Sequence, residues 1–189
     1  MSMRETRGSL LPWACRALTA LLVLAGCAHS PAPPVGLGTP VTEPQLAAWN
    51  IDVDPDGHGL PPGSGTVAAG QAVYAARCAA CHGPLGQNGI ADRLVGGQGT
   101  LATKTPVRTI GSFWPYATTL YDYVRRAMPF DKPQSLSADE TYAVTAYLLH
   151  LNGVLPADAR LDAASLPQVQ LPNRHGFKPD DRAAVEGTR

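Results

Sequence analysis

The chain has 189 residues, of which 44% are hydrophobic and 16% are charged, and its formal net charge is zero. This balance excludes a polybasic nucleic-acid-binding protein and an extended acidic tail. The 19 glycines and 18 prolines make up nearly a fifth of the chain, which predicts many loops and little sheet. The length predicts one domain with additional residues at its ends.

The N-terminal residues have the layout of an export signal. Three arginines precede an apolar run over residues 17–25, which is too short to span a bilayer. The run leads into Leu24-Ala25-Gly26-Cys27, which resembles the lipobox of bacterial lipoproteins. The resemblance implies that residues 1–26 are removed as a lipoprotein signal peptide and that Cys27 is lipidated, which would hold the mature protein on a membrane. The alternative is an ordinary signal peptide followed by a chance cysteine.

Composition divides the mature chain into three parts. Residues 27–65 are rich in Pro and Gly and predict a lipid-anchored linker with an irregular lead-in. The helical patterns in residues 66–155 predict a compact domain. Prolines recur through residues 156–189, which predicts a surface extension. The stretch Asp52-Val53-Asp54 begins like a calcium loop, but Gly63 stands where an EF-hand needs a bidentate Glu. An acidic turn is therefore the preferred interpretation.

Three helices are predicted in the compact part. They cover residues 66–78, 115–127 and 137–151. Thr66 is a typical N-cap, Pro115 suits a first helical turn, and residues 137–140 form a capping box. No segment alternates as a strand does, and residues 83–99 are too rich in glycine to form a core element. The predicted fold is all-α, with a core so small that a covalent staple would be needed.

The pentapeptide Cys78-Ala79-Ala80-Cys81-His82 is the attachment motif for haem c. On one helical turn the thiols of Cys78 and Cys81 are spaced to add across two vinyl groups, and His82 follows as an iron ligand. A dithiol redox pair would need a thioredoxin-like βαβ context, and a zinc site would need a second cysteine pair. The sequence offers neither, so one motif predicts one covalent haem.

The sixth iron ligand is predicted by elimination. Once residues 1–26 are removed, Met128 is the only methionine left, and Pro129 breaks the helix directly after it. A loop methionine in this place can present its thioether to iron. The alternatives are that Met128 fills a gap in the core, or that His150, at the far end of the last helix, supplies the ligand.

Over residues 67–154 the chain resembles class I cytochrome c. The resemblance implies an all-α fold with three main helices around one haem and with irregular N- and C-terminal extensions. It also implies that the first helix, near Gly70 and Tyr74, crosses the last helix near Tyr147.

Residues 92–96 resemble the segment that covers the face of the haem to which the histidine ligand, here His82, binds. In many such cytochromes a proline stands two residues before the leucine, and its carbonyl accepts the N–H of the axial imidazole. This chain has Asp92 there, which weakens the expectation that the carbonyl orients His82. Arg93 and Trp114 are candidate hydrogen-bond donors to the haem propionates, and the alternatives are an exposed arginine and a packed indole.

Further segments extend the resemblance to most of the mature chain. They are DPDG (54–57), LPPGSG (60–65), IGSFWPYATTL (110–120), YVRRAMPF (123–130) and LPNR (171–174). These segments are similar to the cytochrome subunits associated with molybdenum-cofactor sulfite or sulfane dehydrogenases of Sox-type sulfur oxidation. The resemblance implies a partner protein and not a further chemistry within this chain.

The predicted function is single-electron transfer, because two axial ligands leave iron no open position and a thioether ligand raises its reduction potential. We expect an electron-transfer subunit or partner of an oxidoreductase, and not an enzyme by itself. The expected donor is a molybdenum-cofactor dehydrogenase, and the expected acceptor is another cytochrome or an oxidase. The expected location is the periplasmic face of a bacterial membrane. Candidates to surround the haem edge and select the partner are Tyr116, Tyr121, Tyr123, Arg125 and Arg126.

Two alternative functions stay open at this point. The same carrier could serve a different periplasmic dehydrogenase, for an alcohol or a sugar. Alternatively, the chain could be a haem enzyme or sensor in which Met128 is displaced to open the iron.

Overall fold

The computed structural model describes residues 36–47 and 49–179. The chain divides into two units between Thr42 and Glu43. The described part of the first unit, residues 36–42, is exposed and contains no helix or strand. The predictions for the signal peptide, for Cys27 and for residues 180–189 lie outside the described residues. None of the described helices combines the length and the apolar character that crossing a bilayer requires.

The regular secondary structure in the described part of the second unit is mainly helical. In chain order its elements are α1 (Glu43–Ala47), β1 (Ser64–Thr66), α2 (Val67–Arg77), α3 (Ala79–His82), α4 (Ala117–Ala127), α5 (Ala138–Leu151), β2 (Arg160–Asp162) and a 3-10 turn (Leu166–Gln168). The predicted three main helices are α2, α4 and α5. The two short strands were not predicted, because three residues are too few to show an alternating pattern.

The helix starts follow from their capping residues. The Thr66 hydroxyl accepts a hydrogen bond from the Ala69 N–H at 3.2 Å, as predicted for the first turn of α2. Ser137 and Glu140 form the predicted capping box at the start of α5. Helix α4 begins at Ala117, close to the predicted start near Pro115, because Tyr116 is still extended and forms a β-bridge with Gln170.

Helices α2 and α5 cross at Gly70, which has no side chain to hold them apart. A Cβ at Gly70 would lie 1.8 Å from the Ala143 carbonyl oxygen and 2.8 Å from the Tyr147 Cβ. Beside this crossing, the rings of Tyr74 and Tyr147 lie 5.4 Å apart between centroids. The predicted crossing near Gly70, Tyr74 and Tyr147 is therefore confirmed.

Helix α5 lies at the centre of the core. Every residue from Thr141 to Leu149 is buried, so the helix is covered on all sides and not along a single apolar stripe. Helices α2 and α4, together with both strands, pack around it. On the α4 side, the rings of Tyr121 and Tyr142 are 4.5 Å apart.

The segment after α5 returns to the core. Strand β2 pairs antiparallel with β1, with Gly65 opposite Leu161. The side chains of Leu161, Leu166 and Leu171 are almost completely buried in the same cluster as α5. The prediction of a surface extension over residues 156–189 is therefore wrong for residues 161–171, whereas residues 175–179 are exposed.

The irregular segment before β1, residues 49–63, is called the lead-in and is also packed onto the helices. Its Val53 is buried, the Thr118 hydroxyl donates to the Pro55 carbonyl at 3.0 Å, and the Tyr142 hydroxyl donates to the Pro61 carbonyl at 2.9 Å. This part of the predicted linker is thus fixed by contacts with α4 and α5, which the Pro- and Gly-rich composition did not reveal.

Candidate haem site

The Cys-x-x-Cys-His motif forms one turn of helix. Helix α2 ends at Arg77, and Cys78 then caps both α2 and the short helix α3. The N–H groups of Cys81 and His82 both donate to the Cys78 carbonyl, at 3.1 and 3.0 Å. The three functional side chains of the motif are therefore carried by a single helical turn, as predicted.

The two thiols have different surroundings. Both cysteines are free; Cys78 is half-buried and packs against the core, whereas Cys81 is exposed. Burial raises the pKa of the Cys78 thiol to about 11, and the neighbouring Arg77 only partly opposes this. One thiol thus lies at the edge of the core and the other at the surface, an arrangement that suits a flat group buried along one side.

The imidazole of His82 is oriented by a backbone carbonyl. Its Nδ1 lies 2.7 Å from the Asp92 carbonyl oxygen, which can only accept, so Nδ1 carries the proton. In the neutral imidazole this leaves Nε2 as the nitrogen with a free lone pair, which is the atom that can ligate iron. The contact that Asp92 seemed to weaken is therefore present, because it needs a carbonyl in the right place and not a proline ring.

Glycines bring the loop after His82 close to the motif. A Cβ at Gly89 would lie 2.1 Å from the Cys81 carbonyl oxygen, and Gly83 has a φ of +80°. The Ala91 N–H donates to the same Cys81 carbonyl at 2.8 Å. The buried Tyr74 hydroxyl donates to the Gly83 carbonyl at 2.8 Å, and burial raises the pKa of Tyr74 to about 12. The glycine-rich stretch is thus a tightly hydrogen-bonded loop.

Met128 lies directly at the end of α4. Its N–H donates to the Val124 carbonyl at 3.1 Å, and its backbone is then extended, so the helix stops at the residue before it. The side chain is half-buried and packs against the core. Met128 therefore has the predicted position, at the exit of a helix followed by proline. His150, the competing ligand, has its Nδ1 2.9 Å from the Leu155 carbonyl oxygen.

The last turn of α4 is clamped to the lead-in. Asp122 is only 6% exposed, and its carboxylate accepts from the Val53 N–H at 3.0 Å and from the Arg126 Nε at 2.9 Å. The bond to Asp122 raises the pKa of the Arg126 guanidinium. Arg125 donates to the Ile51 carbonyl at 3.3 Å. Sequence reasoning missed this clamp, although the i,i+4 pair of Asp122 and Arg126 was a visible signal.

Most of the predicted partner-selecting residues have other roles. Arg125 and Arg126 bind the lead-in, and Tyr121 is completely buried in the core. The guanidinium carbon of Arg174 lies over the ring of Tyr116, 4.4 Å from the centroid of that ring. Tyr123 is 44% exposed and is the tyrosine of the set that remains available to a partner.

Trp114 is half-buried and Arg93 is exposed. The half-buried indole of Trp114 packs edge-on against Tyr123, with ring centroids 5.7 Å apart. Arg93 is exposed, and its guanidinium has no hydrogen-bond or ion-pair partner among the described residues. Their assignment as propionate donors remains a prediction.

The donor set of the site fits haem c. Two free thiols on one turn can form thioethers, and the adjacent imidazole has its Nδ1 proton committed, which leaves Nε2 to the metal. Within the described part of the chain, no three His, Cys, Asp or Glu side chains gather as they would around a zinc ion. The helical fold and this attachment turn together define a c-type cytochrome.

Comparisons with known proteins agree with this class. Residues 65–148 match the family described as cytochrome c oxidase, cbb3-type, subunit III. A chain of the crystal structure of sulfane dehydrogenase SoxCD from Paracoccus pantotrophus is 49% identical, with a TM-score of 0.75, over 80% of this chain and 75% of that chain. No curated protein matches the sequence. The chain belongs to the cytochrome c family, with a covalently bound haem c, and is similar to a chain of SoxCD.

Proposed function

We propose that Cys78 and Cys81 would hold the haem and that His82 and Met128 would ligate its iron. The hydrogen bond from His82 Nδ1 to the Asp92 carbonyl supports the first ligand, because it fixes the tautomer that ligation requires. The position of Met128, half-buried at the end of a helix clamped by Asp122, supports the second. Haem iron supplies the ability to cycle between ferrous and ferric states, and so to carry one electron.

We further propose that this chain accepts electrons from a molybdenum-cofactor sulfane or sulfite dehydrogenase and passes them to a cytochrome or oxidase of the respiratory chain. The observation that carries this proposal is the 49% identity to a chain of SoxCD over most of both chains. The unpaired Arg93 and the exposed Tyr123 are available for contacts with that partner. Export to the periplasm and a lipid on Cys27 would keep the carrier beside donor and acceptor.

The partner is tested by reduction of the purified holoprotein under anaerobic conditions. We expect its haem to become reduced when catalytic amounts of a sulfane or sulfite dehydrogenase are added together with sulfite or thiosulfate. An alcohol or sugar dehydrogenase with its own substrate should reduce it far more slowly. The absence of haem reduction with both sulfur substrates, or faster reduction by the alcohol or sugar system, would contradict the proposed donor.

The sixth ligand is tested by Met128→Ala. The variant should retain covalent haem, have a lower reduction potential, and bind carbon monoxide in its ferrous form within the mixing time, whereas the parent should bind it slowly. Phe130→Ala is the matched control, because this side chain is two residues away and 87% exposed. It should behave like the parent. A Met128→Ala protein with the parent's potential and the parent's slow carbon monoxide binding would exclude Met128 as the ligand.

A further inference from the structure

Asn152 is a buried amide that bridges two parts of the domain. It caps the C-terminus of α5 and is 7% exposed. Its Nδ2 donates to the Leu148 carbonyl at 2.8 Å and to the Leu94 carbonyl at 3.2 Å. Its Oδ1 accepts from the Gly96 N–H at 3.3 Å. A single side chain therefore satisfies a carbonyl at the helix end and joins that end to a loop more than fifty residues earlier in the chain.

The loop that Asn152 holds is the one that orients His82. Asp92, whose carbonyl accepts the imidazole N–H, lies two residues before Leu94. On its other side, this loop is fixed by the Ala91 N–H, which donates to the Cys81 carbonyl. The Asp92 carbonyl thus lies between one attachment to the haem motif and one attachment to Asn152.

Neighbouring residues hold the Asn152 side chain in a single position. Gln98 donates to its main-chain carbonyl at 3.2 Å. A Cβ on Gly111 would lie 2.4 Å from the Asn152 Oδ1, so a side chain at residue 111 would displace the amide. Tight packing of this kind leaves the amide little freedom to follow a moving loop.

We propose that Asn152 is a positioning residue for the axial ligand His82, which it controls through the loop of residues 92–96. This inference rests on the proposed role of His82 as an iron ligand. A hydrogen bond donated by a ligating imidazole raises the basicity of its other nitrogen and favours ferric iron. Asn152 keeps the Asp92 carbonyl within hydrogen-bonding distance of His82 Nδ1. In this chain no proline stands at residue 92 to fix that carbonyl.

The test uses the holoprotein variants Asn152→Leu and Gly111→Ala. Leucine has the same number and branching of side-chain heavy atoms as asparagine but lacks both the donors and the acceptor. Alanine at residue 111 instead displaces the amide while residue 152 stays asparagine. In both variants we expect the His82 Nδ1 proton to exchange with solvent roughly tenfold faster, measured by NMR. The equilibrium constant for haem reduction should rise by a factor of about three to ten.

Asn173→Leu is the matched control for stability. The Asn173 amide also donates to a backbone carbonyl, that of Phe113, at 2.6 Å, but it does not contact the loop of residues 92–96. This variant can lose stability, but its proton exchange and its potential should equal those of the parent. If Asn152→Leu does not yield folded holoprotein, Gly111→Ala gives the same two readouts.

The outcomes separate this inference from the proposed function. If the parent holoprotein shows no NMR signals of an iron-bound imidazole, the assignment of His82 as a ligand is wrong. If the parent shows them, while Asn152→Leu or Gly111→Ala lowers only the stability, as Asn173→Leu does, Asn152 is a structural residue and the inference is overturned.

Discussion

Replacing Cys78 and Cys81 together by alanine is expected to give a colourless chain without covalent haem that does not reach a stable fold. The core is small for its loop content, and the attached group would supply the contacts along the half-buried Cys78, Val73 and Met128. The measurements are the intact mass of the purified chain, which should lack the haem, and the cooperativity of its thermal unfolding.

Cys27→Ala is the control for that experiment, because it also removes a cysteine but lies outside the haem motif. It should retain the haem mass and the cooperative transition. A double variant of Cys78 and Cys81 that kept covalent haem would show that the attachment site had been assigned wrongly.

Gly70→Val should destabilise the domain more than any other single change at a helix crossing. The new side chain would have to enter the space occupied by the Ala143 carbonyl, so α2 and α5 would be forced apart at the centre of the core. We expect a loss of about 3 kcal/mol or more in the free energy of unfolding of the holoprotein, measured by denaturant titration.

The effect of valine on the helix itself is measured separately with Ala72→Val, at an exposed position of α2. That control should cost less than about 1 kcal/mol. Equal losses for the two variants would mean that the crossing does not depend on the absence of a side chain at Gly70.

The helices could be predicted because their signals are local. Thr66 and the Ser137 capping box each act within one helical turn, and both helix starts were correct. The three buried leucines after α5 gave no such signal. Leu161, Leu166 and Leu171 are spaced by five residues, which corresponds neither to a helix nor to a strand, and their burial depends entirely on tertiary contacts.

The haem site likewise has parts that could be predicted from local sequence and parts that depend on tertiary contacts. The attachment turn was visible because Cys78, Cys81 and His82 are neighbours in sequence. The contact of His82 with Asp92 was underestimated because a backbone carbonyl leaves no trace in the residue type. The role of Asn152 could not be predicted, since it depends on a loop that is distant along the chain.

The position of Leu161, Leu166 and Leu171 near the end of the second unit has a consequence for biogenesis. A polypeptide emerges from the ribosome with its N-terminus first, so the haem-binding turn is available well before these leucines have been made. The core cannot close until the last of them arrives. The turn that carries Cys78 and Cys81 would therefore be open to haem attachment while the core is still incomplete.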